Sequence, residues 1–354
     1  MVAGVSASDV SIMRKTLCAL GALIACVSPA TALAQHPETP APSVVEGVDF
    51  RVYDHRGRSR SFADVLKAMD EADAVLVGET HDDVAGHGVE AELLVRAAQR
   101  MGMVGEGAAT RRPVVLCMEM FERDVQYVLD EYLAGLITED LFKKSARPWD
   151  RYDADYRPMV EFARAHGLRV VAANAPRRYV NRVSRLGPAA LDTLSATARA
   201  YLPPLPYPGP SEAYAARWNA LMAEMSAPQP TPDSASAPAG MPVPAAAPRM
   251  APPSHGIGNA LWAQALWDAA MGHAVATALD QEPGALVVHY VGSFHVSRDM
   301  GIPERVRDYR PRTRILSVVL EPVADIGAWN DDEHEDLGDF VILTKRPPQS
   351  APGS

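Results

Sequence analysis

Ala74-Val75-Leu76-Val77-Gly78-Glu79-Thr80-His81 sets four apolar residues in an unbroken run, then delivers a glycine, a carboxylate and an imidazole within four positions. A run without polar alternation reads as a strand buried on both faces, the habit of parallel sheets covered by helices. Helical spacing follows, with Val89, Leu93, Ala97 and Met101 on one face. The alternation then recurs. Residues 114–118, 168–172, 286–291 and 315–320 read as further strands, and 340–343 as the last, an antiparallel edge. Between them, Val125, Val128, Leu129, Tyr132 and Leu133 share one helical face, and Met159, Val160 and Ala163 another that ends at Gly167. The reading is α/β: a mainly parallel sheet flanked by helices.

That pattern holds over residues 47–180 and 257–346, which are expected to form the α/β domain. Between 181 and 225 it changes. Leu191, Leu194 and Ala198 suggest one helix and residues 213–225 another, with no strand between them. A small inserted helical subdomain is the expectation. Residues 226–253 carry nine prolines among alanines and serines. Such a composition cannot pack a core, so this stretch is expected to be a disordered loop. A long helix is expected over 258–279, with Trp262, Leu266, Ala269 and His273 on one face.

Of the 354 residues, 47% are apolar, enough to bury a large core, and the net charge of −10 argues against a nucleic-acid partner. The N-terminus reads as an address. Met13-Arg14-Lys15 is a short basic segment before about ten apolar residues, too short to span a membrane but suited to a signal peptide. Initiation at Met13 is expected, with 1–34 as leader and the start of a Pro/Ala/Glu-rich tether. Two processing readings compete. Leu23-Ile24-Ala25-Cys26 resembles a bacterial lipobox, which would lipidate Cys26 and anchor the protein to a membrane. Ala32-Leu33-Ala34 would instead be cut before Gln35, releasing a soluble periplasmic protein. Both place the chain outside the cytoplasm, in the bacterial cell envelope.

In open parallel sheets, ligands gather beyond the carboxyl ends of the strands. The first strand delivers Glu79 and His81 there, with His87 soon after; the second delivers Glu119, the third Asn174 and the fourth Gly292-Ser293-Phe294-His295. Two strand-Gly-x-x-His segments and a strand-end carboxylate are expected to converge on one rim. Bland readings stand beside this one. Glu79 or Glu119 could cap the following helix. His273 and His289 read as structural, and Asp331-Asp332-Glu333-His334-Glu335-Asp336 as a solvated loop. Trp149-Asp150-Arg151-Tyr152 reads as an aromatic turn. A histidine and carboxylate rim suits Zn, Mn or Fe, although no standard zinc signature, G-x-S-x-G elbow, P-loop or H-E-x-x-H helix is present.

With these residues in view, the chain resembles the ChaN family of haem-binding lipoproteins, within the superfamily that includes Tiki and TraB proteins. The resemblance covers roughly 48–345. It rests on Val77-Gly78-Glu79-Thr80-His81-Asp82, Met118-Glu119-Met120-Phe121, Tyr132-Leu133-Ala134-Gly135 and Tyr156-Arg157-Pro158-Met159 with Phe162-Ala163-Arg164. Ala173-Asn174-Ala175-Pro176-Arg177, His255, Gln264-Ala265-Leu266-Trp267-Asp268 and Gly292-Ser293-Phe294-His295 complete it. The chain departs from the family at residues 88–92, where a glutamine is usual in the helix after the second histidine, and at 292–295, where G-N-G-H is frequent.

The resemblance implies an α/β domain with a small helical domain, a b-type haem, and in some members a homodimer with facing haems. It further implies haem or iron acquisition at the outer membrane, hence a receptor partner there. Haem asks for an apolar slot, an axial ligand and cations for its propionates. Met118, Met120, Phe121, Met159 and Trp262 are candidates for the slot, and Arg157, Arg177 and Arg178 for the propionates. Histidine is the commoner iron ligand, which points to His81, His87 or His295. A tyrosine ligand in the family points instead to Tyr156, with Tyr152 next, and Glu79, Glu119 and His255 would stand around it. The competing function is a metal-dependent hydrolase of the Tiki type, using Glu79, His81, Glu119 and His295 to activate water. A third is an envelope interaction protein whose rim is vestigial.

Overall fold

In the strand β3 (Ala74–Glu79), Val75 and Val77 pack into one core while Ala74 and Leu76 pack into another. The same division separates Leu116 from Val115 and Val288 from Val287, so each central strand is buried on both faces. The computed structural model describes residues 43–105, 111–226 and 257–346. The leader with Cys26, the tether up to residue 42, His255 and the Pro/Ala-rich stretch from residue 227 lie outside the described residues.

Among the described residues one mixed sheet of eight strands has the order β2-β1-β8-β7-β3-β6-β4-β5. Besides β3 these are β1 (Phe50–Asp54), β2 (Ser59–Arg60), β4 (Val114–Glu122), β5 (Arg169–Asn174), β6 (Leu286–Gly292), β7 (Ile315–Val323) and β8 (Phe340–Lys345). The six from β8 to β5 run parallel, and β1 and β2 add antiparallel at one end. The expectation of an antiparallel edge at 340–343 is therefore corrected. Strand β8 is parallel to β7 and lies inside the sheet, covered by β1. The β1–β2 hairpin escaped the sequence reading because its strands are short and carry arginines at exposed positions.

The helices are α1 (Phe62–Ala68), α2 (Val84–Arg100), α3 (Gln126–Leu133), α4 (Glu139–Ala146), α5 (Tyr152–Asp155) and α6 (Arg157–His166) in the first half. In the second are α7 (Arg177–Leu186), α8 (Ala196–Arg199), α9 (Glu212–Ser226), α10 (Ile257–Gln281), α11 (Ile302–Tyr309) and α12 (Asp331–His334). Residues of α2 and α6 join the core on one face of the sheet, and residues of α10 and α11 the core on the other. The long helix expected over 258–279 is α10. The single helix expected around Leu191–Ala198 is instead a 3-10 turn, Pro188–Thr193, and the short α8 capped by Ser195. Val180, Val183, Leu191 and Leu202 pack with α10 residues Leu266 and Ala270. No helix of the described residues is long and apolar enough to cross a membrane.

The first strand in sequence to enter the parallel stack, β3, lies between β6 and β7, and β6 separates it from β4. Chain order thus reverses at β3. A crevice forms at such a switch point beyond the carboxyl ends, and that is where the candidate side chains arrive.

Candidate functional site

Glu79 is the last residue of β3, and its odd position points it to the α2 and α6 side, where it is 2% exposed. One oxygen is fully engaged. Oε1 accepts from the Tyr156 hydroxyl at 2.7 Å and pairs with His81 Nδ1 at 2.7 Å. The other, Oε2, stands 3.0 Å from His87 Nε2. Burial alone opposes a charge on Glu79, yet the neighbouring His81 and His87 hold its carboxyl well below the usual range. Below it, on α2, Glu90 is wholly buried. Burial first, then the negative charges of Glu79, Asp83 and Asp155, push its carboxyl well above the usual value. His87 Nδ1 faces Asp155 Oδ1 at 3.4 Å, and Arg151 Nε holds Asp155 at 2.5 Å.

His81 is different in kind. Its side chain is 48% exposed, and Nδ1 is committed to Glu79. Its Cε1–Nε2 edge lies beside Gly292. Trp149 meets the ring edge to face at 4.8 Å between centroids. Burial lowers the readiness of His81 to protonate, but Glu79 and then Glu119 outweigh it and raise its pKa.

Glu119 arrives from β4 through an irregularity. The β4–β5 register shifts between Met118 and Glu122, a bulge that re-aims the side chains at the strand end. Its Oε2 accepts from the Gly292 backbone N–H at 2.8 Å, and Oε1 lies 3.8 Å from His295 Nε2. His295, in a 3-10 turn after β6, holds Asp268 of α10 through Nδ1 at 2.5 Å, and Gln264 Nε2 lies 3.2 Å from its Nε2. Burial opposes charge on His295, and the Asp268 carboxylate overrides it to raise the pKa. Gly292 joins the two groups. A methyl there would stand 2.9 Å from His81 Cε1 and 3.7 Å from Glu119 Oε2.

The rim expected from the strand ends is thus present, with Glu79, His81, Glu119 and His295 around one crevice. Neither carboxylate caps a helix. His87 sits beneath the rim rather than on it, 1% exposed. Tyr156 does not face an open site. It closes α5 and opens α6, is 1% exposed, and donates to Glu79, while burial and then the Glu79 charge push its phenol far above its ordinary pKa. Tyr152 is buried among Phe121 and Phe142.

The expected slot is corrected: Met118, Met120, Phe121 and Met159 belong to the main core, and Trp262 packs against Tyr207. Two of the expected propionate partners are engaged elsewhere: Arg157 holds Glu139 through two nitrogens and Arg178 holds Asp124. Arg177, the third, is exposed at the start of α7, where its backbone N–H donates to Glu122. Arg151, half exposed, is held by Asp155 through two nitrogens and feels the charge of Asp82, the residue after His81. Trp149 and Arg151, read as an aromatic turn, are therefore site residues. Glu90 and Asp155 were missed altogether, since only the fold brings them to Glu79 and His87.

His289 is structural as expected, its Nδ1 3.1 Å from the Cys117 carbonyl and its pKa pushed down to about 4 by burial. Burial likewise pushes the Cys117 thiol up to about 12, so it is inert. His334 is a correction. It is 3% exposed in α12, where Nδ1 accepts from the Asn330 N–H and the ring packs on Trp329.

A family model described as haem-binding uptake, Tiki superfamily, ChaN, matches residues 65–306, which span the whole site from Glu79 to His295. The chain belongs to this family. Among solved structures, ChaN of Campylobacter jejuni, described with cofacial haem binding, is similar at 16% identity and a TM-score of 0.57, covering 86% of this chain and 100% of that one. The shared fold is that of ChaN. The type III effector HopBA1 (10% identity, TM-score 0.41, 80% of this chain and 92% of that one) aligns more loosely. So does a mutant of erythromycin esterase EreC in its open conformation (10%, 0.42, 84% and 83%). No curated protein matches in the sequence comparison.

Proposed function

We propose that this chain is a haem-binding protein of the bacterial envelope serving haem or iron acquisition, and that His81 is the iron ligand. One observation carries the reading. His81 is the half-exposed imidazole of the rim, with Nδ1 anchored on a buried carboxylate and its Cε1–Nε2 edge beside Gly292. Metal-binding histidines characteristically hand their second nitrogen to such a partner, which fixes the ring and raises its basicity. Trp149 offers the aromatic surface beside it, and Arg151, half exposed although paired with Asp155, a cation for a propionate. The residues present therefore fit the group. Haem bound there would supply iron chemistry; the chain's part is to orient the imidazole and pair the propionate.

Tyr156 has another part in this reading. Its hydroxyl is a proton donor that holds Glu79, and through Glu79 it positions His81. The crevice opens to solvent at His81, whose side chain is about half exposed. A second copy of the chain is the proposed cover for a haem on an open rim, and an outer-membrane receptor the proposed onward partner.

Haem titration followed by absorption spectroscopy tests the reading. A Soret band that shifts to a one-to-one endpoint is expected, and His81→Ala should weaken haem retention at least about tenfold and alter the ferric spectrum. Tyr156→Phe should retain the ligand-field bands. Loss in Tyr156→Phe with an unchanged His81→Ala would move the iron to the phenol. Peptide cleavage with turnover by the protein loaded with stoichiometric zinc or manganese, without haem binding, would transfer the assignment to the hydrolase.

A further inference from the structure

Beneath the rim lies a second group of donors, of which the haem reading uses only Glu79 Oε1. Glu79, His87 and Glu90 each offer a ligand atom, and these atoms lie within 4.8 Å of one another. All three residues are at least 98% buried. Their polar atoms are also unpartnered: Glu79 Oε2, both nitrogens of His87 and both carboxyl oxygens of Glu90 make no hydrogen bond. Although His87 Nε2 and Glu79 Oε2 are 3.0 Å apart, the two are not aligned as donor and acceptor. Several such atoms in one buried cluster are unusual, because each costs desolvation and only the ionic contacts of His87 with Glu79 and Asp155 offset it.

The surroundings sort these atoms into ligands and supports. Tyr156 and His81 both take Oε1 of Glu79, which leaves Oε2 turned inward. Asp155 lies opposite His87 Nδ1 at 3.4 Å, which leaves Nε2 facing Glu79. A carboxylate behind the far nitrogen of an imidazole is the arrangement that orients a metal-bound histidine. Arg151 in turn fixes Asp155. Two carboxylates around a divalent ion leave no net charge, which removes the cost of burying either charge alone. One imidazole with two carboxylates is a borderline donor set suited to zinc, manganese or ferrous iron.

We propose that Glu79, His87 and Glu90 bind one divalent first-row transition-metal ion beneath the rim, separate from the iron of any haem. Asp155 is its positioning residue. Because the ion takes Oε2, it fixes the Glu79 carboxylate whose Oε1 orients His81. A tetrahedral ion with bonds of about 2.0–2.1 Å needs donors roughly 3.4 Å apart, which small side-chain rotations reach from the present spread.

The experiment uses the full chain, haem-free and stripped with a chelator, then dialysed against zinc or manganese. One equivalent per chain is expected, with X-ray absorption showing one imidazole nitrogen and carboxylate oxygens at about 2.0–2.2 Å. Glu90→Gln, nearly isosteric, should lower affinity at least about 100-fold, and Asp155→Asn about 10–100-fold. His295→Ala, on the far side of the rim, should keep the ion. Circular dichroism checks each fold, and if Glu90→Gln fails to fold, Asp155→Asn and the wild-type absorption spectrum decide. Folded wild type that binds neither metal overturns the proposal and leaves a proton as the occupant. Loss in His295→Ala with retention in Glu90→Gln also overturns it, because the ion would then sit on the rim. As no haem is present, failure of the haem reading leaves the result untouched.

Discussion

Gly292 shows what can and cannot be read from a single position. As a strand-end glycine it reads as a turn residue, and its φ of −57° makes no demand for glycine on that account. Its need is steric. A Cβ would stand 2.9 and 3.0 Å from Cε1 and Nε2 of His81, so the missing side chain is the space in which the imidazole rests against β6. Gly292→Ala should displace His81 while leaving the sheet intact. We expect haem retention to fall at least about tenfold with thermal unfolding lowered by a few degrees at most, since the displaced ring is half exposed and free to swing outward. A fall in stability of about 3 kcal/mol or more, in a urea titration, would show that the close approach is a core contact instead. The histidines and carboxylates at the strand ends were legible because a strand followed by Gly-x-x-His is a local signal. Glu90, Asp155 and Arg151 were not, because their meeting with Glu79 and His87 joins α2 and α5 to β3 through tertiary packing.

At the scale of elements, the parallel strands were legible from continuous apolar runs and the β1–β2 hairpin was not. Asp54, at the end of β1, holds that hairpin together. Its Oδ1 accepts from the Arg56 and Arg58 backbone N–H groups at 3.1 Å, and its Oδ2 from Arg58 and Arg60 side chains at 2.8 Å. Burial works against its charge, but Arg60 and the other donors lower its pKa from 3.8 to about 2. A depressed folded value means that the stabilisation is complete above the unfolded pKa of about 3.9 and disappears as pH falls through about 2. It amounts to no more than about 2 kcal/mol, since the Arg58 side chain is largely exposed. Urea unfolding between pH 2 and 6 should therefore show a shallower acid limb in Asp54→Asn than in wild type. Parallel limbs would mean that Asp54 is equally well solvated in the unfolded chain. At the other edge no strand covers β5; the Gln126 side chain does so, giving its amide to the Val170 carbonyl and accepting from the Ala172 N–H.

Over the whole molecule, the chain weaves through the sheet in a way that no local pattern reveals. Strand β6, which follows the Pro/Ala-rich stretch, sits between β3 and β4, which precede it. Helix α10 packs on Val180, Val183 and Leu191 from the earlier half, and Asp268 on that helix reaches His295 at the site. Among the described residues the two halves therefore share one sheet, three hydrophobic clusters and one crevice, and neither half has a complete set of strand partners alone. Cutting the chain between them breaks a connection but none of these contacts. A protease recognition sequence placed between Ala239 and Gly240 should give, after cleavage, two fragments that run together in native gel filtration and separate only in denaturant. Unfolding should remain a single transition, because β6 cannot leave without breaking its hydrogen bonds to both β3 and β4. Its midpoint becomes concentration-dependent, as expected once folding and association of two chains coincide. Haem binding by the nicked complex should match that of the intact chain, since the crevice takes Glu79, His81 and Glu119 from one fragment and His295 from the other. Fragments that separate in buffer, or two unfolding transitions, would show that the halves fold as independent units joined by the Pro/Ala-rich segment.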